Sequence, residues 1–136
     1  MTEVRQAKKI LIVDDEPAVV TYLEMLLHDH GYETISAVDG KEGMEKVKQD
    51  KPDLVTLDIS MPEASGARFY KEMKHDPQLA SIPIVIVTAI TGTDGDPYAY
   101  KKFLDSRRTV PPPEGFMPKP IDREELIKTI QRLLSQ

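Results

Sequence analysis

The 136-residue chain contains no cysteine. That excludes disulfide staples, thiolate zinc sites and cysteine nucleophiles, and it fits a reducing compartment. Histidine is scarce: of three in the chain, two (His28 and His30) stand in one segment, a poor basis for a metal cage. Basic charge is in deficit. Lys and Arg number 18 against 23 Asp and Glu, a net charge of −5. This is the wrong sign for a broad grip on phosphate backbones, so direct nucleic-acid binding is not expected. No apolar run approaches the roughly 18 residues of a membrane helix, and the polar opening Met1–Lys9 leads into no signal-peptide core. A cytoplasmic protein with no membrane insertion is therefore expected. Internal repeats, low-complexity tracts and domain linkers are also missing, which points to a single domain over residues 1–136, its core about residues 9–134.

What is present is a sequence with enough apolar material, 40% of residues, to build one core. Short apolar runs alternate with helical patterns, the signature of βαβ units around a parallel sheet. Ile10–Val13, Leu54–Leu57 and Ile82–Val87 are continuous apolar runs, as strands covered on both faces require. Glu33–Val38 alternates in character, as an edge strand would, and a short fifth strand is predicted at Gly115–Pro118. Helices are predicted at Pro17–His30, opened by Pro17 and stopped by Gly31, and at Asp39–Gln49, where Asp39 and Glu42 form a capping box but Gly43 lowers the propensity. Further helices follow at Ala67–His75 and Asp122–Ser135, the last with a second capping box from Asp122 and Glu125. Asp96-Pro97 can open a fourth crossover helix through Tyr100, Phe103 and Leu104, after which Pro111-Pro112-Pro113 forbid its continuation. The order is (βα)₅ with right-handed crossovers.

In such sheets ligands sit beyond the carboxyl ends of the strands. The first strand ends in Asp14-Asp15, the third in Asp58 and the fourth in Thr88, and the fifth is followed by Lys119. Each residue alone has a plain structural reading. Asp14 or Asp15 can cap the helix at Pro17, Asp58 can open a turn, Thr88 can be structural and Lys119 can be surface. Their coincidence is harder to absorb, because clustered carboxylates at one sheet edge repel unless a cation joins them. Mg²⁺ suits the donors, being a hard ion that takes one or two carboxylates and pairs with phosphate oxygens.

Val13-Asp14-Asp15-Glu16-Pro17, Leu57-Asp58-Ile59-Ser60-Met61-Pro62 followed by Gly66, Ile82–Ala89 ending in Thr88-Ala89, and Lys119-Pro120-Ile121 together resemble the receiver domain of response regulators in two-component signalling. The resemblance runs from about Lys9 to Leu134. It implies a flavodoxin-like sheet of order 2-1-3-4-5, with Asp58 as phosphoacceptor for a histidine kinase or phosphotransfer protein. It further implies that Asp14, Asp15, Asp58 and the backbone carbonyl of Ser60 hold Mg²⁺, and that Thr88 and Lys119 stabilise the phosphoryl oxygens. A cis peptide at Lys119-Pro120 is implied too. The switch would draw Thr88 inward and let Phe116 turn into the space; without a hydroxyl, Phe116 can act only by packing.

The sequence departs from the family between Thr88 and Lys119, an interval longer than receivers usually carry. Tyr98, Tyr100, Phe103, Arg107 and Arg108 in it are types enriched at interfaces, so a private surface for an unknown output protein is expected there; the plain reading is a solvated insertion. Homodimerisation on phosphorylation is a further partner expectation. The resemblance implies a signalling module, not an enzyme beyond its own phosphorylation and dephosphorylation. A constitutively binding pseudo-receiver is the alternative. An aspartyl phosphohydrolase of the haloacid-dehalogenase type is disfavoured because Ser60 stands where that family needs a carboxylate, and flavin or nucleotide binding because two carboxylates end the first strand.

Overall fold

The computed structural model describes residues 7–59, 61, 65–88 and 113–135. In chain order these form β1 (Lys9–Val13), α1 (Pro17–Asp29), β2 (Glu33–Ala37), α2 (Gly40–Asp50), β3 (Leu54–Leu57), α3 (Ser65–His75), β4 (Ile84–Thr88), β5 (Gly115–Pro118) and a C-terminal helix (Arg123–Leu134). The strands make one parallel sheet of order β2-β1-β3-β4-β5. The predicted fold class holds. The helix expected from Asp96 lies outside the described residues, as do Tyr98, Tyr100, Phe103, Arg107 and Arg108.

The pleat divides the apolar strand residues between two layers, which explains the unbroken apolar runs. Leu11, Val13, Val55, Leu57, Ile84 and Ile86 pack with Phe69, Tyr70 and Met73 of α3 and Val47 of α2. Ile10, Ile12, Leu54, Val85 and Val87 pack with Leu23, Leu26 and Leu27 of α1 and Leu126, Ile127 and Ile130 of the C-terminal helix. β2, at the edge, is buried only at Ala37.

Local chemistry places the element ends. β4 starts at Ile84 rather than at Ile82 as the apolar run suggested. The Ile82 N–H is taken by the Leu79 carbonyl, and Pro83 has no N–H for a ladder. Gly31, at φ 86°, turns the chain after α1, and its N–H donates to the His28 carbonyl. Asp39 accepts the Glu42 N–H at 2.8 Å while the Glu42 carboxylate accepts the Val38 N–H, so the capping box of α2 forms one residue wide of its usual pattern. Gly43, a liability by propensity, is needed by packing: a Cβ there would stand 2.9 Å from the Phe69 ring. Asp122 caps the C-terminal helix through the Glu125 N–H.

Far from the carboxyl edge, α3 is tied to β5 by an ion pair that sequence patterns did not announce. Lys74, its side chain 2% exposed, holds both Glu114 oxygens at 2.8–2.9 Å and lies 5.7 Å from the Tyr70 ring centre. Glu114 also accepts the Ile84 N–H at 2.8 Å.

Thr56 in β3 is buried, and its hydroxyl has no hydrogen-bond partner among the described residues. Such a group costs about 1–3 kcal/mol in desolvation. Thr56→Val is therefore expected to raise stability by about 1 kcal/mol in chemical denaturation; a loss of that size would show that the hydroxyl makes a bond in solution.

Candidate functional site

The sheet's hydrogen-bond ladder continues past the strand ends and fixes the acidic residues. The Asp14 N–H donates to the Ala37 carbonyl at 3.0 Å, and the Asp58 N–H donates to the Val13 carbonyl at 2.9 Å. Both side chains are thereby delivered, buried, to the carboxyl edge between β1 and β3. α3 closes in behind, because Gly66 lacks a side chain: a Cβ there would fall 2.4 Å from the Asp58 carbonyl oxygen.

Lys119, at the end of β5, reaches across the edge. Its Nζ lies 3.4 Å from Asp14 Oδ2, 3.4 Å from Glu16 Oε1 and 3.5 Å from Asp58 Oδ2. One oxygen from each of Asp14, Asp15, Glu16 and Asp58 lies within 4.8 Å of the others. The plain capping role foreseen for the Asp pair is realised in part. The cap position of α1 is Glu16, whose side chain caps nothing, and its N–H donates to Asp14 Oδ1 at 2.9 Å.

Lys119 lies within 3.5 Å of three of these carboxylates, and the protonation of Asp14 and Asp15 reflects the crowding. Burial, with the charge of Asp58 added, pushes the Asp14 carboxyl up from 3.8 to about 6; its bond from the Glu16 N–H opposes this. Asp15 is raised as well, by burial and then by Asp58. Burial pulls Lys119 down, but Asp58, Asp14 and Glu16 together carry it above its usual value. An all-oxygen, net-negative donor set of this kind fits a hard divalent cation such as Mg²⁺, which would relieve the repulsion that Lys119 leaves uncompensated.

The sign for stability follows. A raised carboxyl favours the protonated folded state, so the contribution of Asp14 is full below about pH 3.8 and is lost as pH rises through about 6. A cation binding the carboxylates replaces that loss. The thermal shift produced by Mg²⁺ is therefore expected to be small at about pH 5 and to grow toward about pH 7.5, where Asp14 is ionised. A shift constant across that window would argue against Asp14 as a ligand of the cation.

The structure thus brings together Asp14, Asp15, Asp58 and Lys119. Thr88 ends β4, opposite Pro118 in register, on the same edge. Ser60 lies outside the described residues. Lys119-Pro120 is a cis peptide. Phe116 is 37% exposed, at the surface and not in the core. Glu16 is the addition: it stood inside the quoted motif with no role, its only signal being adjacency to the Asp pair.

A doubly wound parallel sheet with carboxylates and a lysine converging on its carboxyl edge defines an α/β module with a charged cluster at the end where such sheets bind ligands. The family model of the response regulator receiver domain matches residues 10–131. The protein PilH of Pseudomonas aeruginosa is 33% identical over 127 residues, covering 93% of this chain and 98% of that one. The chemotaxis response regulator CheY4 of Vibrio cholerae superposes with a TM-score of 0.76 at 32% identity, covering 94% of this chain and 99% of its own. The receiver domain of a Pseudomonas aeruginosa sensor histidine kinase, with a magnesium ion coordinated in its active-site cleft, shares the fold at TM-score 0.80 and 22% identity, covering 96% of this chain and all of that one. The chain belongs to the response regulator receiver family, the phosphorylation-switched signalling modules of two-component systems, whose members work with histidine kinases or phosphotransfer proteins and with output partners. Among the described residues, no helix is long and apolar enough to cross a membrane.

Proposed function

We propose that this chain is one receiver unit over about residues 9–134 in which Asp58 accepts a phosphoryl group from a phosphohistidine on a kinase or phosphotransfer protein. The observation that carries the reading is the buried Asp58 carboxylate, 3.5 Å from Lys119 and grouped with Asp14 and Asp15. An Asp58 oxygen attacks phosphorus as the bond to the donor imidazole breaks and its electron pair leaves on nitrogen. Lys119 meets the charge that develops on the phosphoryl oxygens, and Thr88 supplies a hydroxyl from the end of β4. Asp14, Asp15, Asp58 and the Ser60 carbonyl would hold Mg²⁺, which when bound offsets the charge shared by the acceptor and the phosphoryl group. Phosphorylation draws Thr88 inward and Phe116, now at the surface, turns toward the space it leaves. The surface so altered receives an output protein, with Tyr98, Tyr100, Phe103, Arg107 and Arg108 as the candidate contact residues by their type; dimerisation on phosphorylation belongs to the same reading.

The test is intact-mass analysis after incubation with acetyl phosphate, with Mg²⁺ or with EDTA. A Mg²⁺-dependent phosphoryl adduct is expected. No adduct, combined with no binding of the stable beryllofluoride mimic, would overturn the reading in favour of a pseudo-receiver.

A further inference from the structure

Glu16 occupies the cap position of α1, yet its side chain makes no capping bond. Pro17 follows it, and the carboxylate turns toward the sheet edge to share Lys119 with Asp14 and Asp58. Its exposure sets it apart. The side chains of Asp14 and Asp58 are 3% and 1% exposed, whereas that of Glu16 is 52% exposed, at the rim. A half-exposed carboxylate thus stands within 4.8 Å of the Asp58 carboxylate.

Repulsion from a fixed charge grows with the charge of what approaches, and at the rim Glu16 divides the offset from Lys119 with Asp14 and Asp58. We propose that Glu16 is a specificity-determining residue of the phosphoacceptor site, its rim carboxylate selecting against phosphodonors of high negative charge and favouring those whose charge is lower or offset by a cationic neighbour. The inference rests on Asp58 being the phosphoacceptor. Two small donors separate the cases. With acetyl phosphate, a dianion, the Asp58–phosphorus bond forms as the phosphorus–oxygen bond breaks and its electron pair leaves on acetate. With phosphoramidate, a monoanion at neutral pH, the phosphorus–nitrogen bond breaks and the pair leaves on the already protonated nitrogen as ammonia.

The experiment measures adduct formation by intact mass for the parent chain, Glu16→Gln and Glu16→Asp, with both donors at low and high salt, alongside a Mg²⁺ titration of each. Glu16→Gln is expected to raise the acetyl phosphate to phosphoramidate rate ratio about three- to tenfold, the size of one screened charge a few ångströms away. The gain shrinks in high salt, and Glu16→Asp keeps the parental ratio. Equal changes for both donors overturn the inference, and a matching loss of Mg²⁺ affinity would then make Glu16 a cation ligand instead. Adduct formation on the parent chain with an unchanged ratio in Glu16→Gln overturns this inference alone. Failure of the parent chain to form an adduct with either donor removes the phosphoacceptor reading and this inference with it.

Discussion

Replacing Asp58 by Asn is expected to abolish the phosphoryl adduct and to leave the metal-free protein at least as stable as the parent. The first half follows from chemistry, since the Asn amide has no anionic oxygen to form an acyl phosphate in place of Asp58. The second half follows from the balance of charges. Asp58 is attracted to Lys119 at 3.5 Å but repelled by Asp14, Asp15 and Glu16, each with an oxygen within 4.8 Å. Lys119 keeps Asp14 and Glu16, both at 3.4 Å, when the Asp58 charge is removed. The Asp14 and Asp15 carboxyls, both raised in part by Asp58, then move down toward their ordinary range. The expected gain in EDTA is about 1 kcal/mol, read as a higher melting temperature, while the stabilisation by Mg²⁺ falls. An adduct that persists on Asp58→Asn would place the acceptor elsewhere. A variant melting well below the parent in EDTA would show that Asp58 serves the fold through Lys119.

Glu114→Ala is expected to be the most destabilising single change at the opposite end of the sheet, at about 3–5 kcal/mol. Removing Glu114 strands the Lys74 ammonium, whose side chain is 2% exposed, with only the Ala80 carbonyl at 3.4 Å and the Tyr70 ring nearby among the described residues. It also takes the acceptor from the Ile84 N–H at the start of β4. The reverse deletion is milder. Lys74→Met leaves a carboxylate that is one-third exposed, reaches water and still accepts the Ile84 N–H, so about 1–2 kcal/mol is expected. Denaturant titration of the two variants decides the matter: a Lys74→Met cost equal to or above that of Glu114→Ala would mean that the ammonium, not the carboxylate, satisfies the buried groups. The clasp lies next to the proposed site in the chain, since Glu114 is the last residue before β5, and β5 carries Phe116 and leads directly to Lys119.

Much of this was legible in the chain. The strand runs, the stop at Gly31, the two capping boxes and the acidic strand ends were all readable because each depends on neighbours within one or two turns. Element period and capping chemistry are local, and once the βα alternation is recognised, chain order alone says which residues stand at the carboxyl edge. The misplaced start of β4 was also local: Pro83 withholds the N–H that an apolar run seemed to offer.

What no local pattern contains is distance in space. Lys119 stands 105 residues from Asp14, and Lys74 stands 40 from Glu114, so their pairings exist only after the strands have taken their order in the sheet. The same holds for the costs and uses of particular atoms. Gly43 reads as a weak helix former, and Gly66 only as part of a motif, until Phe69 and the Asp58 carbonyl are seen pressed against them. Glu16 has no evident role until Lys119 is seen 3.4 Å from its carboxylate, beside Asp14 and Asp58. The sequence by itself determined the elements, their order and the residue types at the site, because hydrogen bonding and periodicity act along the chain. The tertiary structure decided which charges face one another, because burial and Coulomb energy depend on where the folded chain brings them.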